Sequence, residues 1–192
     1  MRQLTWSFGL IAYFAVPGFL VAGAIVDFEG LPDGTILSTQ YPGLTFSNAI
    51  ILTAGISLNE FEFPPFSGFN VASDNGGPIT IPFASPITTF GGYFTHLGPL
   101  TLRAFDIANA QVGLTLSLFS NNLALSGDPG SAPNELLQLF AGGISSITIT
   151  GDPAGGSFTL DNATTGAVPE PATFSLLLAG STIVVALRNR RK

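Results

Sequence analysis

The chain has 192 residues, 46% of them hydrophobic and only 9% charged, with a formal net charge of −6. That length holds one domain plus targeting ends. The absence of cysteine excludes disulfides, cysteine zinc sites and a thiol nucleophile. The single histidine, His96, excludes a histidine-rich metal site. Arg103 is the one basic residue between positions 25 and 168, and Glu170 the one acidic residue outside that span. The body is therefore acidic and both ends are positive. Such a surface repels nucleic acid phosphates, so no nucleic acid partner is expected. It suits divalent cations or an acidic extracellular setting, and equally simple solubility.

Residues 1–24 read as a secretory signal peptide. Arg2 supplies the positive start, Leu4 to Leu20 is mostly apolar, and Ala22-Gly23-Ala24 is a small-residue cleavage site. From residue 25 to 165 short strands alternate with turns. Ile25 to Glu29 places Val26 and Phe28 on one face and Asp27 and Glu29 on the other. Thr35 to Leu37, Leu44 to Phe46, Ile50 to Thr53 and Glu60 to Phe63 are further extended candidates, and Pro64-Pro65 ends the last. Phe66 to Pro78 reads as a loop. Ile79 to Phe83 is a strand confined to an edge or an end by Pro82. Ile87 to His96 is a strand broken by Gly91-Gly92. Leu100 to Asp106 and Val112 to Phe119 are neighbours. Leu100, Leu102, Ala104 and Ile107 face inward there, and Leu114, Leu116 and Leu118 form a second apolar face. Glu135 to Phe140 is a helical turn or a strand. Ile144 to Thr150 and Ser157 to Asp161 close the series, and Asn162 to Ala167 is a polar linker. Roughly eight to ten short strands at this spacing predict an all-β, antiparallel β-sandwich of jelly-roll-like form.

The C-terminus changes character. Val168-Pro169-Glu170-Pro171 follows the linker of residues 166–171. An uncharged apolar run spans 172–187, and Arg188, Arg190, Arg191 and Lys192 end the chain. The run is about 24 Å long as a helix, at ~1.5 Å per residue. That is a little short for a bilayer core of roughly 30 Å, which snorkelling by the terminal cations would offset. Residues 172–187 are thus expected as a single transmembrane helix, with residues 188–192 as a cytoplasmic basic stop. The two prolines bias the preceding residues towards extended geometry, a form a protease can grip.

This order of Pro-Glu-Pro, apolar run and basic end closely resembles the PEP-CTERM tail of exported bacterial proteins. The resemblance implies recognition by a membrane-embedded exosortase, removal of the tail near Pro-Glu-Pro, and delivery to the cell surface of hosts that make exopolysaccharide. Two stretches, Asn59 to Pro65 and Gly142 to Asp161, are similar to exported bacterial jelly-roll domains that carry the same tail.

Chemistry is sparse. His96 has no Gly-x-Ser-x-Gly partner motif, so no nucleophilic triad is expected. Glu60 and Glu62 are a permissive but common carboxylate spacing. The chain reads as non-enzymatic. Asp27, Glu29 and Asp161 would converge on a structural calcium if the first and last strands are antiparallel neighbours. Asp74-Asn75-Gly76 is a weaker calcium candidate, already explained as a turn. Tyr41 and Tyr93, with Phe66 and Phe69, are the aromatics near loops that would stack on a sugar; Trp6 leaves with the signal peptide. Thr148 and Thr150 alone make a Thr-x-Thr pair, too little for an ice-binding array, and Asn162-Ala163-Thr164 matches a glycosylation sequon. The function expected is that of an exported surface or matrix protein, with exopolysaccharide binding as the alternative and polysaccharide hydrolysis behind it.

Overall fold

A computed structural model describes residues 24–166. Within them the chain forms eight strands and no helix: β1 (Ala24–Val26), β2 (Ala49–Thr53), β3 (Asn70–Asp74), β4 (Ile79–His96), β5 (Thr101–Phe105), β6 (Gln111–Leu116), β7 (Glu135–Thr150) and β8 (Phe158–Gly166). All strand pairings are antiparallel. The order is β2-β3-β8-β4-β7-β5-β6, with β1 also beside β8.

The long strands β4 and β7 organise this sheet. They pair over Ile79–Pro82 with Ile149–Ser146, and again over Thr89–Phe94 with Phe140–Glu135. Register shifts fall between Pro82 and Thr89. A straight β4 would hold Ile79 and His96 about 55 Å apart, at ~3.3 Å per residue. Instead Ile79 is joined through Ile149 to Leu102, a few residues after His96. The β4–β7 pair therefore turns back at its bulge, the usual bending device of a sheet. The apolar faces on both sides of the bend meet in one core. Ile79, Ile81, Leu102, Ile147 and Ile149 come from one arm, and Phe90, Phe94, Leu137, Phe158 and Leu160 from the other.

Loose segments cover other strand edges. Gly34 and Leu37 N–H groups donate to Ile51 and Ala49 carbonyls along β2, and Ser47 exchanges bonds with Thr80 along β4. This is what Thr35–Leu37 and Leu44–Phe46 become, isolated bridges rather than strands.

Several local expectations are corrected. Glu60–Phe63 is a turn, closed by Glu62 and Phe63 N–H groups on the Asn59 carbonyl. Asn70–Asp74, inside the expected loop, is a fully buried strand. Gly91-Gly92 does not end β4, but the register with β8 shifts between Gly91 and Tyr93. The glycine pair allows close approach, since a Cβ on Gly92 would stand 2.4 Å from Leu160 Cδ1. Glu135–Phe140 and Ile144–Thr150 are one strand, and β8 continues through the expected linker to Gly166. Phe28 adopts φ 64° yet is buried, so β1 stops at Val26.

Leu100, Leu102 and Ala104 face the core as expected, but Ile107 is 89% exposed at a turn tip. Leu114, Leu116 and Leu118 point outwards, because the alternate positions Gly113 and Thr115 of this edge strand face inwards over β7. Leu116→Lys should therefore change the unfolding free energy by less than about 0.5 kcal/mol in urea titration. A loss above about 2 kcal/mol would show that the leucine row is covered.

Candidate functional site

Tyr93 on β4 and Asp161 on β8 are register partners. The segment 66–70 crosses over them and is held by two carboxylates. Asp161 Oδ2 accepts the Ser67 N–H at 2.8 Å, and Oδ1 accepts the Asn162 N–H at 2.6 Å. Glu29, just past β1, accepts the Phe69 and Asn70 N–H groups on Oε1 at 2.9 and 2.8 Å. Glu29 sits over Gly68, where an added Cβ would stand 2.3 Å from its carboxyl carbon. Gly68 also has φ 56°, so glycine is required twice over. Asn70 completes the clamp, with Nδ2 donating to the Phe28 and Leu31 carbonyls at 3.0 and 2.8 Å.

The clamp lays the Phe66 ring flat on Tyr93, with centroids 3.4 Å apart and planes 6° from parallel. Phe66 stays 45% exposed. Its outer face is a flat aromatic surface next to exposed Leu136, the register partner of Tyr93 on β7.

Asp161 is buried, and burial pushes its carboxyl up to about 6. Hydrogen bonds from Ser67, Asn162 and Phe66 N–H groups offset part of this, and the Glu29 charge adds to it. Tyr41 is pushed up to about 12 by burial, then by the charges of Asp27 and Glu29. Its ring meets Phe28 and Phe46 edge-on at 5.8 and 6.2 Å. It also lines a pocket of about 260 Å³ with Pro42, Leu44, Pro82 and Phe83. Tyr41 thus joins the core margin on a different part of the surface from the Phe66–Tyr93 stack.

β1 does lie antiparallel to β8, as the calcium expectation requires. Its three carboxylates are nevertheless not gathered on one point. Among the described residues no group of three or more acidic or histidine side chains is placed to hold a metal ion. The physical reason is competition: Glu29 Oε1 and both Asp161 oxygens accept backbone N–H groups, and Asp27 Oδ1 accepts the Glu29 N–H at 3.3 Å.

The remaining candidates have structural partners. His96 is fully buried, between the Gly98 carbonyl at 2.8 Å and Glu135 Oε2 at 3.2 Å. Asn122 caps the same strand end, accepting the His96 N–H and donating to the Phe94 carbonyl. Asp74 accepts the Ser157 and Phe158 N–H groups and the Ser157 hydroxyl. Glu62, apart from Glu60 in role, accepts the Leu125 and Ser126 N–H groups, the first of which holds its carboxyl below the usual range. The Phe66–Asn70 clamp was hidden in sequence, because Ser-Gly-Phe-Asn carries only a turn signal. The sorting residues Val168 to Pro171, the apolar run, the basic stop and the expected signal peptide up to Gly23 lie outside the described residues.

Comparison with known proteins supplies what geometry does not. Residues 167–192 match the PEP-CTERM protein-sorting motif. That motif marks exported proteins that are anchored in the membrane before exosortase processing and surface display. No curated protein matches the chain. Among solved structures, a DUF4465 family protein from Bacteroides caccae is similar over 75% of this chain and 98% of its own, at 12% identity and a TM-score of 0.49.

Proposed function

We propose, from the sorting motif as premise, that residues 25–165 are a non-enzymatic surface or matrix domain delivered by a cleaved N-terminal signal and released or displayed through an exosortase. In this reading the doubled-over sheet is a jelly-roll-like β-sandwich, stable without disulfides because its core is continuous across the bend. The match at residues 167–192 carries the reading. Changing Pro169, Glu170 and Pro171 together to alanine in a host with an exosortase should leave the chain in the inner membrane with an intact C-terminus. Mass spectrometry of membrane and surface fractions reads the outcome. Equal surface delivery of the altered chain would sink the reading.

One observation favours a second role. The Phe66–Tyr93 stack is a rigid, half-exposed aromatic surface, the kind that packs against the apolar face of a sugar ring. In that role the domain holds exopolysaccharide. Tyr93→Ala or Phe66→Ala should lower glycan-array binding at least tenfold, whereas Leu118→Ala should not. Binding that is absent in the parent chain, or unchanged in both variants, would remove the carbohydrate role and leave the surface-protein role.

A further inference from the structure

Both ends of the described chain leave from one pole of the domain. Ala24 pairs with Thr165, and Gly166 lies opposite Thr89, whose other neighbour is Phe140. The bends of β4 and β7 lie at the same pole. So does the Asp106–Ala110 turn, because Phe105 pairs with Ser146 just beyond the bend.

Large apolar side chains are exposed there. Ile107 is 89% exposed, Ile25 66% and Phe140 61%, and Pro42 and Pro86 are exposed beside them. Asp106 is folded into its own turn, where it accepts the Ala108 and Ala110 N–H groups at 2.9 and 2.8 Å. The exposed Asp27 lies two residues past Ile25. Asp128 and Asp152 lie in loops at the opposite pole, next to the His96 and Phe158 ends of β4 and β8.

We propose that this pole rests on the lipid surface while the chain is still anchored. The proposal builds on the anchoring reading above. Five residues, 167–171, separate Gly166 from the apolar run at 172–187. At ~3.3–3.6 Å each they reach about 17 Å at full extension. The headgroup layer on one side of a bilayer takes roughly 5–8 Å of that reach. The pole is thus tethered within contact of the interface, where exposed apolar side chains are stabilised and charged ones are not. Asp128 and Asp152 face away from the lipid.

The chain has no cysteine, so single labels are unambiguous. Full-length Ile107→Cys, Phe140→Cys and, at the opposite pole, Ala154→Cys would carry an environment-sensitive fluorophore. Each would be reconstituted into phosphatidylethanolamine–phosphatidylglycerol vesicles with headgroup-attached nitroxide lipid. All three positions are solvent-facing or at turns, and circular dichroism checks that the sheet survives. Quenching at 107 and 140 should exceed that at 154 several-fold. Equal quenching in chains that float with the vesicles would overturn the seated pole and leave the anchor standing. Failure to float with the vesicles would overturn both.

Discussion

Asp74→Ala should be the most damaging single change in the domain, lowering the unfolding free energy by roughly 3–5 kcal/mol in urea titration. Asp74 is the last residue of β3 and only 3% exposed. Its Oδ1 accepts the Ser157 and Phe158 N–H groups at 2.8 and 3.0 Å, and Oδ2 accepts the Ser157 hydroxyl at 2.8 Å. Its own carbonyl accepts the Gly156 N–H at 2.8 Å. One side chain thus joins β3 to the turn that feeds β8. Each hydrogen bond to a charged acceptor contributes about 1.5–3 kcal/mol, and alanine leaves three buried donors without a partner. For a domain whose whole stability is of order 5–15 kcal/mol, that is a large fraction. Asp74→Asn keeps an oxygen for the two N–H groups and should cost about half as much. A loss under 1 kcal/mol for the alanine variant would mean the turn is rehydrated and the joint is not structural.

The second large effect is a pH dependence located at Asp161. Its folded-state value near 6 lies above the ordinary carboxyl value of 3.8, chiefly through burial. A raised acid contributes stability that is full below the unfolded value and is lost as pH rises through the folded one. The window is therefore about pH 4 to 6, and the domain should be less stable at pH 7 than this group alone would allow at pH 4. After allowance for solvent screening at the loop margin, the effect is at most ~2 kcal/mol. The readout is the difference between parent and Asp161→Asn. The asparagine oxygen still accepts the Ser67 N–H, and the variant should gain on the parent as pH rises from 4 to 7. Parallel melting-temperature curves for the two chains would contradict the assignment.

Much of this structure was readable before folding was considered. Strand β2 announces itself in Ile50 to Thr53, β5 in the alternation of Leu102 and Ala104, and the late half of β7 in Ile-Thr-Ile-Thr. Strand β3 was not readable. Asn70, Ser73 and Asp74 look like loop residues, and they are buried only because their partners, Phe28, Phe158 and Ser157, sit about 40 to 85 positions away in sequence. The same blindness affected the candidate site. Asp27, Glu29 and Asp161 suggested a cation because local reading does not reveal that segment 66–70 will offer its N–H groups to two of them. Tyr93 was legible as an aromatic near a loop, but its pairing with Phe66 depends on where that segment is clamped.

Export, the membrane-anchoring tail, the acidic body and the all-β character follow from composition and short-range pattern, since each depends on residues that are neighbours in the chain. The fold-back of β4 on β7, the burial of polar β3 and the shared pole of the two ends do not. They arise from pairings across tens of residues, where satisfying buried N–H and carbonyl groups outweighs what any local stretch prefers.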